Sequence, residues 1–391
     1  MARTPLGTVG ILERLVACPT VSRDPNLPLI DWVRNFLADQ GIDSCLVPDA
    51  TGRKSNLIAS IGPAAEGGLV LSGHTDVVPV EGQDWRSDPF TLTARGSRLH
   101  ARGACDMKGF IAVALARLET WKRLNLARPV HLMLSYDEEL GCLGAPSMIA
   151  AAQGTLRKPG AVIVGEPTSM RVANTHKGLC IVRTRVTGVE AHSSLTHQGV
   201  SAVMLAGELI GYLAEISRTF ARNASTAGYG VALQLPHTTL SVNRIEGGTA
   251  VNILAAACEF DWDIRTVAGE APSAILRQVT SFTDARLAEL LKAGKRASVQ
   301  MIVTADVPPL RADGGDAEKL AAAVALEASE PISVPFATEA GQFQCAGWPT
   351  VVCGPGSIDQ AHKPDEFIER SELTACERFL DRAVRYQCQR Q

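Results

Sequence analysis

The sequence predicts an α/β protein, a central sheet flanked by helices, with a ferredoxin-like α+β unit inserted into it. Three observations carry that expectation. Short apolar runs alternate with amphipathic helical stretches toward both ends of the chain, the rhythm of a helix-flanked sheet. The middle third alternates apolar with polar residues instead, as strands with one face in solvent do. The chain has 391 residues, long for one ordinary domain and comfortable for two.

Taken in order, "LPLIDWVRNFLADQG" (27–41) has helical spacing and ends on a glycine. "GLVLSGH" (68–74), "VHLMLSY" (130–136), "AVIVGEP" (161–167) and "TVVCGPG" (350–356) are rich in Val, Leu and Ile and read as buried strands. "GFIAVALARLETWKRL" (109–124) is the helix between the first two. From 177 the pattern changes. "LCIVRTRVTGV" alternates, and the helix in "GVSAVMLAGELIGYLAEIS" follows, with Ala202, Leu205, Leu209, Leu213 and Ile216 on one face. Two alternating strands come next, "TTLSVNRIEGGTAVN" and "CEFDWDIRTV", then a helix in "SAILRQVTSFTDARLAELLK" and a last strand in "SVQMIVTADV". The order β-α-β-β-α-β is that of a ferredoxin-like unit. It gives a first domain over 1–176, an insert over 177–307 and a return to the first domain over 308–391.

Composition narrows the function. A net charge of −3 with mixed signs, and no Lys/Arg stripe interleaved with aromatics, argues against nucleic acid or an anionic membrane as partner. Gly, Pro and Gln break uncharged runs such as "AGQFQCAGWPTVVCGPGSI" well short of a membrane span. "MARTPLGTVGILERLVACPTV" has no continuous apolar segment after Arg3, so no secretory signal is expected. Ten cysteines without a C-x-x-C pair read as reduced thiols in the cytoplasm. The sequon at Asn223 is then an accident.

The chemistry gathers where strands end. His74 and Asp76 follow "LVLSG", Asp137, Glu138 and Glu139 follow "VHLMLSY", and Glu166 follows "AVIVG". Asp106 sits in the Gly-flanked loop "RGACDMKG", and His362 in "DQAHKPDEF". Each alone has an ordinary explanation: a satisfied histidine, a solvated acidic turn, a helix-entry glutamate, a capping aspartate. Together they stand on one rim, outside the carboxyl ends of the strands, where open α/β sheets bind ligands. Two His, one bridging carboxylate and two further carboxylates suit a pair of divalent metals that polarise a carbonyl and acidify water. A free carboxylate nearby would move the proton, and an Asp two residues from a ligating His would orient the imidazole. Other chemistries lack their signatures: no G-x-S-x-G, no phosphate loop and no H-E-x-x-H occur, and Cys105 has no paired His.

The motifs "SGHTDVVP", "DPF", "RGACDMKG", "DEE", "GEPTSM", "HKG", "AHSS" and "GPGSIDQAHKPDEF" resemble the dinuclear zinc metallohydrolases. That family includes acetylornithine deacetylase, succinyl-diaminopimelate desuccinylase, aminoacylase and glutamate carboxypeptidase. The resemblance implies a zinc-hydrolase catalytic domain with a mixed sheet, and an insert serving as lid and dimerisation domain. It assigns His74 and Glu166 to one metal, Glu139 and His362 to the other, and Asp106 to the bridge. It makes Glu138 the general base, which spacing alone does not tell from Glu139, and has Asp76 orient His74. It gives His192 to the oxyanion and Asn252 and Arg265 to a substrate carboxylate. It further implies two Zn2+ (or Co2+), a homodimer and a small N-acyl amino acid as substrate. "GEPTSM", "THKG", "TEAGQF" and the last motif are most similar to the deacetylases of N2-acetyl-L-ornithine, an arginine-biosynthetic substrate. Glu339 is a candidate acid for its side-chain ammonium. The rivals are deacylases of other diamino acids, a desuccinylase, and a non-catalytic metal-binding protein.

Overall fold

The four apolar runs lie side by side in one sheet. In the computed structural model, which describes residues 6–223, 235–326 and 329–389, the strand order is Val130–Ser135, Leu69–His74, Ala161–Pro167, Thr350–Gly354. All four run parallel. Every residue in them is buried, which explains the unbroken apolar runs: a parallel sheet is covered on both faces. Ser55–Ile61 and Ser44–Pro48 extend one side, antiparallel, and Ala173–His176 and Ile332–Val334 extend the other, making a mixed sheet of eight strands.

Parallel neighbours need crossovers, and helices Gly109–Lys122 and Ala145–Thr155 supply two of them. The first has no polar face because nine of its residues, from Gly109 through Leu115 with Leu118 and Trp121, are buried. The outer helix Arg370–Cys388 packs on it through Leu373, Cys376, Phe379, Leu380, Ala383 and Val384, a stripe at helical spacing. Gly165 fixes how closely helix and sheet meet. A Cβ there would lie 2.0 Å from the ring of Phe110, itself 1% exposed.

Lys177–Pro309, with Pro335–Ala337, forms a second unit; its far seam falls at 309, two residues beyond the 307 suggested by the alternating pattern. Its strands stand in the order Thr239–Gly247, Ala257–Arg265, Leu179–Thr187, Ser298–Val307, all antiparallel. With helices Ala202–Arg222 and Pro272–Lys292 in sequence between them, this is the ferredoxin-like arrangement. Val182, Phe260, Trp262 and Ile264 pack against Leu205, Leu209, Leu213 and Ile275. Ser201 caps the first helix, its hydroxyl accepting the N–H of Met204 at 3.3 Å.

No described helix is long and apolar enough to cross a membrane. All ten cysteines are unpaired. The sequon at Asn223 continues into residues outside those described.

Gly165→Ala should destabilise the fold by about 1–3 kcal/mol through overpacking. The check is a lower denaturant midpoint at unchanged slope; an unchanged midpoint would mean that Phe110 moves aside freely.

Candidate metal centre

Because the four central strands are parallel, their carboxyl ends share one edge of the sheet. His74 is the last residue of its strand and Glu166 the last but one of its own. Glu138 and Glu139 follow Val130–Ser135, Asp106 lies in the turn Ala104–Lys108, and His362 stands in the loop beyond Thr350–Gly354.

Asp106 is at the middle. Its Oδ1 is 3.0 Å from His74 Nε2, and its Oδ2 is 3.3 Å from His362 Nε2. Glu166 Oε1 is 3.7 Å from that same nitrogen of His74. Glu139 Oε2 is 3.0 Å from His362 Nε2. Each oxygen of one carboxylate therefore faces its own imidazole, with one more carboxylate on either side. Ligand atoms of His74, Asp106 and Glu139 lie within 4.8 Å of one another, as do those of His74, Glu138 and Glu166. Distance by itself does not divide Glu138 from Glu139.

The three acids of "DEE" separate. Asp137, at φ +55°, pairs with Lys54, while Glu138 and Glu139 join the cluster. Asp76 meets His74 through its main chain. The strand stops at His74, so Asp76 is not on its face, and it is the Asp76 carbonyl that accepts the His74 Nδ1–H at 2.9 Å. That turns Nε2 toward the cluster. The Asp76 carboxylate, 3.7 Å from Nδ1, instead accepts the Ser22 hydroxyl at 2.7 Å and the N–H groups of Glu138 and Glu139 at 3.1 and 3.3 Å. It holds the acidic turn.

Three further residues support the cluster without having been singled out in the sequence. The Cys142 thiol donates to Glu138 Oε1 at 3.3 Å. Glu366 and Arg102, each 1% exposed, pair at 2.7 Å, and Glu366 also accepts the N–H of Asp106. Glu366 lies four residues past His362 inside "HKPDEF", the one hint the sequence offers. Of the remaining candidates, Glu339 belongs to the first unit and is 1% exposed. It accepts the Ser72 hydroxyl at 3.2 Å, and its other oxygen has no hydrogen-bond partner. His192, Asn252 and Arg265 belong to the second unit. Arg265 there pairs with Asp263 at 3.0 Å, and the Asn252 carbonyl accepts the N–H of Ser193, next to His192, at 2.9 Å.

This cluster has the electrostatics of a cation site. Burial, with neighbouring acids, pushes the carboxyls of Glu138 and Glu166 well up and raises that of Glu139. Burial would depress the imidazole of His74, but Asp106, Glu166 and Glu138 hold it well above its usual range. Hydrogen bonds to Asp106 and Glu139 lift His362 to about 10. Asp106 is buried, yet hydrogen bonds from His362 and His74 keep its carboxyl low. Protons are drawn where positive charge is wanted. Glu166 Oε1, buried with no donor, is a vacant acceptor in the same place. Imidazole and carboxylate donors suit zinc and its neighbours among divalent ions, so the residues fit a metal pair.

A family model described as "Peptidase family M20/M25/M40" matches residues 70–386. The chain belongs to this family. It is a hydrolase, like the M20-family relatives that act on amide bonds. Acetylornithine deacetylase of Myxococcus xanthus is 35% identical, with 96% of each chain covered, and that of Pasteurella multocida is 33% identical over the same shares. Among solved structures, an M20-family metallo-carboxypeptidase from Sulfolobus solfataricus superposes with a TM-score of 0.75 at 18% identity, covering 98% of this chain and 99% of that one. An M20-family peptidase from Bacillus subtilis, described as dinuclear metal-binding, gives 0.66 at 16% identity, with 97% of each covered. These two establish the M20 fold with its large mixed sheet.

The imidazole of His362, held at about 10 rather than 6.5, stabilises the folded metal-free protein fully below pH 6.5 and ceases to as pH rises through 10. The raised carboxyls act in the same direction, since they ionise more readily in the unfolded chain. Metal-free protein should therefore lose thermal stability between pH 6.5 and 10, and metal-loaded protein should not. A flat profile without metal would show that the carboxylates do not hold the imidazole.

Proposed function

We propose that the protein is a two-metal amidohydrolase that removes the acyl group from an N-acyl amino acid, with N2-acetyl-L-ornithine giving L-ornithine and acetate as the leading substrate. One observation carries it: the two oxygens of Asp106 each face a different imidazole, and each imidazole has a carboxylate beside it. In this assignment Asp106 bridges, His74 and Glu166 hold one ion, and His362 and Glu139 hold the other. Zinc is the first choice of metal and cobalt the second. When bound, such a pair supplies Lewis acidity that polarises the scissile carbonyl and lowers the pKa of water.

Glu138 is then the general base. It accepts a proton from the attacking water and passes it to the departing amine nitrogen as the amide C–N bond breaks. Its carboxyl is pushed up by burial, its backbone N–H is held by Asp76, and its Oε1 receives the Cys142 thiol. A fixed side chain of raised pKa is what that double duty asks for. For the developing oxyanion we propose His192. The Ser194 N–H points at its Nδ1, 3.2 Å away, so the ring proton sits on Nε2 as a donor. Asn252 and Arg265 are assigned to the substrate carboxylate, which the guanidinium fork matches.

The choice of substrate rests on the names of the curated relatives and on Glu339. A buried carboxylate with an unpartnered oxygen calls for a cation, and the side-chain ammonium of ornithine is one. A desuccinylase would need cationic or hydroxyl-rich groups for the succinyl carboxylate, where "TEAG" supplies an acid. We place the enzyme in the cytoplasm, in keeping with its unpaired cysteines. We infer a homodimer built through the second unit, whose outer strands Thr239–Gly247 and Ser298–Val307 each leave one edge unpaired among the described strands.

Zinc-loaded protein should turn over acetyl-ornithine faster than acetyl-lysine, acetyl-methionine, acetyl-glutamate or succinyl-diaminopimelate. Glu138→Ala should cut kcat about 10²–10⁴-fold without loss of metal. Glu339→Gln should reduce the preference for acetyl-ornithine over its uncharged analogue acetyl-norvaline roughly tenfold or more. Preference unchanged would leave Glu339 as a support for Ser72 alone. A different leading substrate would move the assignment to a paralogous deacylase, and no turnover at all would favour a binding protein.

A further inference from the structure

We propose that Arg102, Glu366 and Gln83 form a polar clamp that sets Asp106 against His362 and so governs retention of the metal ion assigned to that side. The clamp rests on the two-metal reading above, and none of its residues belongs to the ligand set.

Of the five assigned ligands, two are placed by the sheet, and Glu139 follows in the turn that Asp76 holds; the other two have neither support. His74 and Glu166 sit in strands, and their register with neighbouring strands fixes them. Asp106 lies in a turn. His362 stands in a loop with its side chain 53% exposed and its φ at +61°, an uncommon conformation for a residue with a β-carbon. The nearest strand pairing, Arg98–His100 with Phe367–Glu369, does not reach either of them.

Polar contacts do. The Glu366 carboxylate accepts the N–H groups of Gly103, Cys105 and Asp106 at 3.1, 2.8 and 3.1 Å, together with Arg102 Nη1 at 2.7 Å. Charge-assisted contacts of this kind are among the stronger hydrogen bonds. Arg102 turns its other amino group to Gln83, with Nη2 donating to Oε1 at 2.6 Å. Gln83 Nε2 in turn donates to the backbone carbonyl of His362 at 2.9 Å. The chain of contacts thus runs from the Asp106 amide through Glu366, Arg102 and Gln83 to the His362 carbonyl. Arg102 is steadied by the ring of Trp85, 5.1 Å below its guanidinium, and Nη1 also reaches the Lys363 carbonyl at 3.4 Å.

Both ends of the clamp grip backbone. The Oδ atoms of Asp106 and Nε2 of His362 stay free for a metal. Without the clamp the His362 loop would keep its contacts at Asp365 but lose the tie that leads to the Asp106 turn, so more of its ordering would fall on metal uptake, and that ordering weakens binding.

The test uses the full chain and two variants. Glu366→Gln alters the grip on the Asp106 loop, and Gln83→Ala, at a half-buried surface position, releases the His362 carbonyl together with the Arg102 and Trp85 donors while leaving every Glu366 contact in place. Zinc content is read by elemental analysis after equilibration with a graded competing chelator, and turnover is followed as free zinc is raised. The wild type should hold two zinc ions. Both variants should bind the ion beside His362 roughly 10–100-fold more weakly, Gln83→Ala leaving the other unaffected, and excess zinc should restore kcat. If Glu366→Gln fails to fold, Gln83→Ala decides alone. Variants that keep both ions with wild-type affinity overturn the clamp, as does a loss of turnover with both ions present and no rescue. A wild type that takes up fewer than two ions overturns the two-metal reading itself, and the clamp with it.

Discussion

The structure depends on a concentration of negative charge at one edge of a sheet. Asp106, Glu138, Glu139 and Glu166 converge there with only two imidazoles among the ligand atoms to offset them. Carboxylates brought together out of water resist ionisation, and here that resistance shows as raised carboxyls and as imidazoles forced to hold protons. Divalent cations remove the conflict, because they supply the charge and leave both imidazoles neutral as ligands. In the proposed assignment Glu138 holds neither ion and is free for proton transfer.

The fold exists to hold that arrangement still. Four parallel strands bring His74 and Glu166 to a common edge through backbone pairing, and the turn after a third carries Glu138 and Glu139 there. The approach of Phe110 to Gly165 keeps the neighbouring helix against the strand that carries Glu166. Beyond the sheet, polar contacts to backbone take over. Asp76 holds the acidic turn, its carbonyl fixes the tautomer of His74, and Glu366 holds the Asp106 turn. The supporting groups act on the main chain, so the donor atoms themselves remain available.

Much of this was legible in the sequence for a physical reason. A strand buried on both faces must be apolar throughout, so the four central strands stand out as runs, and the residues just past them fall at the functional edge. The ferredoxin-like unit was legible because a half-exposed sheet must alternate. What was not legible depends on contacts between distant segments. Nothing local says that Asp137 turns to Lys54 while Glu138 and Glu139 turn to His74, nor that Cys142 reaches back to Glu138. Glu366 and Arg102 stand 264 residues apart inside two separate motifs, and nothing local says that they meet where Arg98–His100 pairs with Phe367–Glu369. The sequence placed Asp76 beside His74 but could not say that its carbonyl, two residues past the end of the strand, would be the group to meet the ring. Helix Arg370–Cys388 shows a clear stripe in the structure, though its mean hydropathy is low because its outer face is densely charged.

The central claim is that Asp106 bridges two ions. Anomalous diffraction from zinc-soaked crystals, collected above and below the zinc edge, tests it most directly. The account predicts two peaks, one against Oδ1 beside His74 and Glu166, the other against Oδ2 beside His362 and Glu139. A single peak, or one held by Glu138 in place of Glu139, would contradict it.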